Sequence, residues 1–213
     1  HRTILLDKRN TYFCILKLGL INLPLSDMSK DIRIKRGVNI NLKGSAERVY
    51  ASIPQPEYFV VKPSDFKGLT PKLSIKAGDN VKAGSSLFYD KENPSIKITS
   101  PVSGKVTEIR RGEKRKILEV VIMADTEISF IEFPKADAKN LTRDQIIIQM
   151  LDAGLWPFVR QRPYAVIANP NDIPKAIFIS AFDSSPLACD SDFVLHGMEK
   201  EFQTGLDIVS KLT

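Results

Sequence analysis

The 213-residue sequence is poor in the residues that build metal and redox centres. It contains two cysteines and two histidines, and Cys14 and Cys189 lie far apart in the chain. Iron–sulfur clusters and structural zinc sites need three or four ligands, so we expect no metal centre and no disulfide framework. The spacing of His196 and Glu199 suits a helical ligand pair, but two residues do not complete a site, and we interpret them as a surface pair. This cysteine usage favours a reducing compartment.

Motifs for nucleotide binding and nucleophilic catalysis are also absent. The eleven glycines are scattered singly at turns, and neither Gly-x-Gly-x-x-Gly nor Gly-x-x-x-x-Gly-Lys occurs, so the usual phosphate cradle is missing. Ser184 and Ser185 lie next to Asp183, but no histidine accompanies them, which argues against a hydrolase triad. We therefore predict no catalytic residue in this chain.

The charge balance is basic, with a formal net charge of +6 and a pI near 9.2. Such a balance suits a nucleic acid, an anionic membrane surface or an acidic partner. No RNP-like, helix-turn-helix or zinc-finger pattern is present, and we therefore expect no nucleic-acid partner. An RNA-binding β-barrel that uses the basic run at 110–116 is kept as the weakest alternative.

Residues 1–27 differ from the sequence that follows. Basic residues precede an apolar run over 12–25, as in a signal peptide, but no small-x-small cleavage site follows and the run is too short to span a membrane. A coherent domain pattern begins directly after Met28. We therefore expect 1–27 to be a leader or non-native extension ahead of a natural start at Met28, and we leave it out of the fold prediction.

The pattern of residues 28–135 predicts an all-β domain. Apolar and polar residues alternate with the period of two that half-buried strands show, and prolines or glycines stand at the ends of these runs. No helical periodicity is visible from 30 to 134. The predicted strands are 32–42, 49–53, 58–61, 116–123 and 130–133.

The stretch 73–109 organises this domain. Gly78 and Asp79 predict a tight hairpin, and Pro101 and Gly104 bracket a second reversal. The two turns, GDNVKAG and PVSGKV, resemble those of the biotinyl/lipoyl-type barrel-sandwich hybrid, which has Gly-Asp-x-Val-x-x-Gly in one half and Pro-x-x-Gly-x-Val in the other. The resemblance implies a barrel-sandwich hybrid.

Residues 136–213 alternate between helix and strand, so the whole chain is expected to be of mixed α+β class. Thr142 predicts the N-cap of a helix and Gly154 its C-terminus. The apolar run 176–180 predicts a strand buried on both faces, and 198–212 carries a second helical stripe. With one clear strand, this part is expected to be a truncated, Rossmann-like α/β domain that needs more chain or a partner surface to bury its apolar faces.

Lys91 is the candidate residue for a carrier function. It follows Asp90 in the interval between the two half-motifs, where lipoyl-type carriers hold their modified lysine. An acylated amine at this turn would make the domain a swinging arm. However, the hairpin is longer than expected for a carrier and no Met-Lys-Met occurs, so we favour a solvated hairpin tip.

Two further segments carry candidate binding residues. The run 110–116 holds five basic side chains around one glycine, and it is either a solvated tip or a docking surface for an acidic subunit or anionic headgroups, with Arg110, Arg111, Lys114 and Arg115 as the docking residues. In the second segment, aromatic and guanidinium groups alternate. They either clamp a flat quinone-like ligand or pack the two domains together, and we favour packing. The candidate contacts there are Trp156, Phe158, Arg160 and Arg162.

Seven blocks in order resemble one protein family. They are IKRGVNI (34–40), KAGDNV (76–81), LFYDK (87–91), SPVSGKV (100–106), RGEKR (111–115), GLWPFVRQRP (154–163) and AIFISAFD (176–183). Together they look like the N-terminal part of the A subunit of the bacterial Na⁺-translocating NADH:quinone oxidoreductase, and the resemblance covers essentially all of the chain from Met28. The C subunit of an Rnf-type electron-transport complex is the alternative relative, but it would be expected to bring Cys clusters that this sequence lacks.

The resemblance implies a peripheral subunit on the cytoplasmic side of the bacterial inner membrane. The complex oxidises NADH, reduces ubiquinone or menaquinone and exports Na⁺, with its flavins and iron–sulfur centres in other subunits. The expected partners are therefore the other subunits, with a quinone as a further candidate. Family members are about twice this length, so we expect this fragment alone to be non-catalytic.

Overall fold

A computed structural model describes residues 13–16, 43–44, 47–134, 136–180, 183, 185 and 188–213. The chain divides into two compact units, one of Ser52–Ile173 with Leu212, the other of the described residues up to Ala51, Pro174–Lys211 and Thr213. The strands are β1 (Phe13–Leu16), β2 (Tyr58–Val61), β3 (Pro71–Leu73), β4 (Asn80–Val81), β5 (Ser86–Asp90), β6 (Lys97–Thr99), β7 (Gly104–Arg111), β8 (Ile117–Ala124), β9 (Arg160–Gln161), β10 (Val166–Ile167) and β11 (Ile177–Ser180). The helices are α1 (Arg143–Asp152), α2 (Ser191–Leu195) and α3 (Glu199–Val209), with 3₁₀ turns at Pro63–Asp65, Glu113–Arg115, Trp156–Phe158 and Ser210–Leu212.

The larger unit contains two antiparallel sheets that share one core. One sheet has the strand order β2-β8-β7-β4 and the other β3-β5-β6. Inward-facing side chains largely alternate along the strands, because successive residues of a strand face opposite sides; β5 departs from this where its register with β6 shifts between Ser86 and Phe88. Leu87 and Phe88 from one sheet and Val106, Val120 and Ile122 from the other are fully buried. The period-two pattern of the sequence therefore encodes a β-sandwich.

The turn at Gly78–Asp79 is a corner between the sheets, so the prediction of a tight hairpin there is wrong. β3 and β4, on either side of it, belong to different sheets. Asp79 closes the turn: its backbone N–H donates to Lys76 O at 3.2 Å, and its carboxylate accepts from Lys76 N at 2.8 Å. Gly78 lies at φ +96°, which glycine adopts with little strain.

The second reversal, at Pro101–Gly104, carries the chain from β6 in one sheet to β7 in the other. Its serines are buried and bonded: Ser100 Oγ donates to Val102 O at 2.6 Å, and Ser103 Oγ accepts from Ser129 N at 2.9 Å. The two corners meet where Gly78 N donates to Val106 O at 2.7 Å. A second hydrogen bond, from Val106 N to Asp79 O at 2.9 Å, fixes the first corner to β7.

The other strand predictions had mixed outcomes. The strand at 58–61 is confirmed, and that at 116–123 appears one residue later as β8. Residues 49–53 form no strand, and Ile53 is 78% exposed, because Pro54 and Pro56 end the segment before it can pair. Phe130 makes only a single parallel bridge to Ala83 instead of the predicted strand. The predicted strand at 32–42 lies outside the described residues.

Helix α1 has the capping predicted for it. Thr142 Oγ1 accepts from Gln145 N while the Gln145 side chain accepts from Thr142 N, which is a capping box. At the other end Gly154, at φ +70°, follows the C-cap, and Leu155 N donates to Met150 O at 2.8 Å in a Schellman arrangement. The helix end lies against β6, where Lys97 Nζ is 2.9 Å from Asp152 Oδ1.

In the smaller unit, β11 pairs antiparallel with β1. Phe178 is 66% exposed, so the prediction of a strand buried on both faces is wrong: the second face has no described element over it. The predicted terminal helix is confirmed as α3, whereas the short α2, capped by Asp190, was not predicted. Although β1 lies within 1–27, the leader assignment stays a prediction. Among the described residues no helix has the length and apolarity needed to cross a membrane.

Candidate functional site

The basic hairpin tip connects β7 to β8 through Gly112 and the 3₁₀ turn. Arg110 lies on β7 before the tip and is held by two carboxylates: Nε donates to Glu108 Oε2 at 2.9 Å and Nη1 to Glu119 Oε2 at 2.8 Å. Lys62 Nζ lies 3.2 Å from the other oxygen of Glu119. The hydrogen bond to Glu108, and then that to Glu119, raises the pKa of Arg110. Hydrogen bonds from Lys62 and Arg110 lower the pKa of Glu119. Arg110 is thus part of a surface network on the sheet.

Three of the remaining basic residues of the tip, Arg111, Arg115 and Lys116, border an open cleft. Its volume is about 440 Å³. Arg111 Nη1 donates to Arg115 O at 3.2 Å, which links the two ends of the turn. Lys114 and Arg115 have φ values of +52° and +60°, left-handed conformations that non-glycine residues adopt at a cost. The cleft is lined by Pro71, Lys72, Leu73, Arg111, Arg115, Lys116 and Ile117.

The cleft adds two cations to the predicted docking residues. Lys72 and Lys116 line it together with Arg111 and Arg115. Lys116 lay within the recognised basic run, but Lys72 is far away in the sequence on β3. Only the pairing of β3 with β5, which places Lys72 opposite Tyr89, fixes its position, and the sequence carries no signal for that register.

The aromatic–arginine segment divides into buried and exposed parts. Trp156 is 4% exposed, and its indole Nε1 donates to Ala168 O at 2.7 Å, so it has the position of a core residue. Phe158 is 72% exposed, and Arg160 and Arg162 are also exposed, on and beside β9. The hypothesis of a quinone contact therefore depends on Phe158 and the two arginines.

Lys91 lies at the start of the β5–β6 hairpin loop. Its side chain is exposed and its backbone N–H donates to Thr70 O at 2.8 Å. The carboxylate of the preceding Asp90 is buried and accepts from Thr70 N at 3.1 Å and from Glu92 N at 3.3 Å. Asp90 therefore shapes the loop, and only Lys91 presents a reactive group to solvent.

The remaining polar candidates make local contacts. His196 Nδ1 lies 3.8 Å from Glu199 Oε1, and Ser185 Oγ donates to Asp183 Oδ1 at 2.6 Å, which lowers the pKa of Asp183. Within the described part of the chain, no three His, Cys, Asp or Glu side chains are grouped as metal ligands. Ser184 lies outside the described residues.

Two family models match the chain in succession. The NqrA N-terminal barrel-sandwich hybrid domain matches residues 32–125, and the NqrA second alpha/beta domain matches residues 141–213. They confirm the predicted fold class, a barrel-sandwich hybrid followed by an α/β domain. The two sheets and their corners lie within the first match, and α1, β11 and α3 lie within the second.

Curated relatives share one name, that of the A subunit of Na(+)-translocating NADH-quinone reductase. The relatives from Tolumonas auensis, Pseudomonas aeruginosa and Neisseria meningitidis are 37%, 36% and 36% identical to this chain over 184 or 185 residues. Each alignment covers 85% of this chain and 41% of the relative. The chain therefore spans less than half the length of the relatives it matches.

Proposed function

The chain belongs to the NqrA family, the A subunits of the Na⁺-translocating NADH-quinone reductases, and we propose that it serves in a complex that couples NADH oxidation and quinone reduction to Na⁺ export. The succession of the two family domains over 32–125 and 141–213 carries this proposal. Because the chain spans 41% of its relatives, the activity is proposed for the complex and not for this chain alone. In this proposal the flavins and iron–sulfur centres lie in other subunits.

The role we propose for this chain is docking, on the cytoplasmic side of the inner membrane as a peripheral subunit. Arg111, Lys114 and Arg115 are exposed at the hairpin tip, and none of the three has an ion-pair partner among the residues described. Arg110, in contrast, is already bound to Glu108 and Glu119. Unpaired guanidinium groups bind carboxylates in a bidentate manner, which suits an acidic surface on a neighbouring subunit.

The proposal also includes a more specific role, a direct contact with the quinone. Phe158 offers an exposed ring for stacking, and Arg160 and Arg162 offer donors for quinone carbonyl oxygens. Trp156 would act indirectly, since its packing and its hydrogen bond to Ala168 O hold the start of the segment.

Co-purification from native membranes tests the docking role. The tip variant R111Q/K114Q/R115Q is expected to lose association with the complex and the NADH:quinone activity that depends on it. The control K67Q/K76Q/K82Q removes three exposed lysines from the same unit and is expected to associate normally. Normal association of the tip variant would contradict the docking surface, and absence of the wild-type chain from the complex would contradict the proposed function.

A carrier domain is the second candidate, because Lys91 is exposed on the hairpin between the two half-motifs. Intact-mass spectrometry of natively expressed protein distinguishes the two functions. The docking proposal predicts the unmodified mass, whereas an adduct that maps to Lys91 and disappears in K91R would establish a carrier.

A further inference from the structure

We propose that the cleft beside the hairpin tip is a binding site for a dianionic phosphate group, as found in phosphate monoesters and diphosphates. The site consists of the side chains of Lys72, Arg111, Arg115 and Lys116 around an apolar floor. It goes beyond the docking role, because a phosphate site can exist whether or not the chain is bound in a complex.

The shape of the cleft suits a small anionic group. Pro71, Leu73 and Ile117 form the floor, and Ile117 is 8% exposed, so it belongs to the core. Cationic side chains from β3 and from both sides of the hairpin tip rise around this floor. A low-polarity floor strengthens the attraction between these cations and an anion above it, because water screens the charges less.

The cations of the cleft lack counterions within the described residues, unlike other cations of the same unit. Lys62 and Arg110 share Glu119, and Lys97 pairs with Asp152. No such pair involves Lys72, Arg111, Arg115 or Lys116. An anion from outside the chain would therefore offset a positive charge that no described acidic side chain pairs with.

The number of charges favours phosphate over carboxylate. A carboxylate brings one negative charge and two oxygens, whereas a phosphate monoester brings nearly two charges and three acceptor oxygens at neutral pH. Guanidinium groups pair with phosphate oxygens in a bidentate manner, and ammonium groups add point charges. Two arginines and two lysines match a dianion better than a single carboxylate.

The acidic residue nearest in the strand register does not oppose this arrangement. Asp90 lies opposite Pro71 in the β3–β5 pair. Its carboxylate is buried and already accepts from Thr70 N and Glu92 N. Glu113, within the tip itself, is exposed to solvent as the four cations are, and it is not among the residues that line the cleft.

Parts of the site are fixed before any ligand arrives. Lys72 Nζ lies 5.6 Å from the centre of the Tyr89 ring, a cation–π distance. The donation from Arg111 Nη1 to Arg115 O ties the two ends of the turn, and Arg115 keeps its left-handed φ of +60°.

The test is an NMR titration of the full chain with inorganic pyrophosphate, with sodium chloride at matched ionic strength as the reference. Pyrophosphate is expected to shift the signals of the four cationic residues in a saturable manner. K72Q/K116Q is expected to bind about tenfold more weakly, which corresponds to about 1.4 kcal/mol, because it removes two of the four cations of the cleft. The control K76Q/K82Q removes the same charge from exposed positions outside the cleft and is expected to bind as wild type.

Binding to lipid vesicles distinguishes a lipid headgroup from a soluble compound as the source of the phosphate group. Binding to phosphatidic acid vesicles, but not to phosphatidylglycerol vesicles of equal charge, would assign the group to a lipid monoester, and a response to pyrophosphate alone would assign it to a soluble compound. Either result supports the site. The inference is overturned if neither probe binds beyond the chloride reference, or if K76Q/K82Q weakens binding as much as K72Q/K116Q. Because these measurements need no partner subunit, their failure is distinct from a failure of docking.

Discussion

Residues 58–124 and residues 141–209 are stabilised in different ways. In the first region the inward faces of two sheets meet, and Leu87, Phe88 and Val106 are fully buried. In the second region hydrogen bonds at helix ends recur, while Phe178 and Val194 are 66% and 43% exposed. The β-sandwich is therefore held mainly by packing between its two sheets, whereas the second region combines side-chain caps at α1 and α2 with a smaller set of buried side chains, Ile146, Ile147, Trp156 and Leu206.

This difference in packing also affects the kind of binding surface that each region can provide. A close-packed core fixes the backbone, so the hairpin tip and the cleft are held on a rigid base. Elements with exposed apolar side chains present an apolar surface that another polypeptide chain can contact. The proposed docking surface and the proposed phosphate site lie on the edge of the β-sandwich, and the exposed apolar side chains of β11 and α2 belong to the other region.

The largest expected effect comes from truncating the core. Phe88→Ala removes a fully buried ring that also makes an edge contact with Phe66, and it should lower the free energy of unfolding by about 4 kcal/mol. Phe178→Ala removes a ring of the same size from an exposed position and should change it by less than about 0.5 kcal/mol. Denaturant unfolding checks both. For Phe88→Ala the probe is the fluorescence of the single tryptophan, Trp156, which lies in the same compact unit as Phe88. For Phe178→Ala the probe is circular dichroism. Equal losses of unfolding free energy in the two variants would contradict the difference between the packed β-sandwich and the second region.

Gly104→Ala tests the close backbone approach at the second corner. A Cβ there would overlap the carbonyl oxygen of Met123, and φ is +155°, so we expect a loss of about 3 kcal/mol. The control is Gly78→Ala, where φ is +96° but the space is open. It should cost about 1 kcal/mol. Both losses of unfolding free energy are measured by tryptophan fluorescence. A smaller loss for Gly104→Ala than for Gly78→Ala would show that the backbone of β8 shifts to accommodate the added Cβ.

Thr142→Ala removes one hydrogen bond from the helical region. The bond from Gln145 N to Oγ1 is lost, and a cap of this kind contributes about 1 kcal/mol. Thr142→Ser keeps the hydroxyl and should stay near wild type. Hydrogen exchange of the first α1 amides reports the change, and unchanged protection in Thr142→Ala would show that the helix is held by packing on Ile146 and Ile147 instead.

Local signals in the sequence predicted much of both regions. The Thr142–Gln145 pair and Gly154 act within one helix, so they could be recognised without the fold. The corner at Gly78 could be recognised as a turn but not as a change of sheet, because pairing partners are set by contacts distant in sequence. Residues 49–53, although strand-like in composition, form no strand because Pro54 and Pro56 end the segment before it can pair.

The candidate sites were predictable only where they are continuous in sequence. The basic run 110–116 was visible as a run, but Arg110 is bound by Glu108 and Glu119, and the contact with Glu119 crosses strands and needs the β7–β8 register. Lys72 joins the cleft through the fold alone. Trp156 was named together with Phe158 as a candidate contact, with packing as the favoured interpretation, because composition does not reveal which ring of a segment is buried.

The smallest expected effect lies in the surface network of the β-sandwich, and it depends on pH. Hydrogen bonds from Lys62 and Arg110 lower the folded pKa of Glu119 below its unfolded value. Its contribution to stability is therefore complete above the unfolded pKa, near 4.3 in model peptides, and is lost as the pH falls through the folded pKa. Glu119→Gln should reduce the denaturant midpoint more at pH 7 than at pH 3, and salt should shrink the difference. Glu92→Gln, an exposed carboxylate without an ion pair in the described part of the chain, provides the control. If Glu119→Gln lowers the midpoint equally at both pH values, Glu119 contributes through packing and not through its charge. The surface of the sandwich would then be stabilised by packing, as its core is.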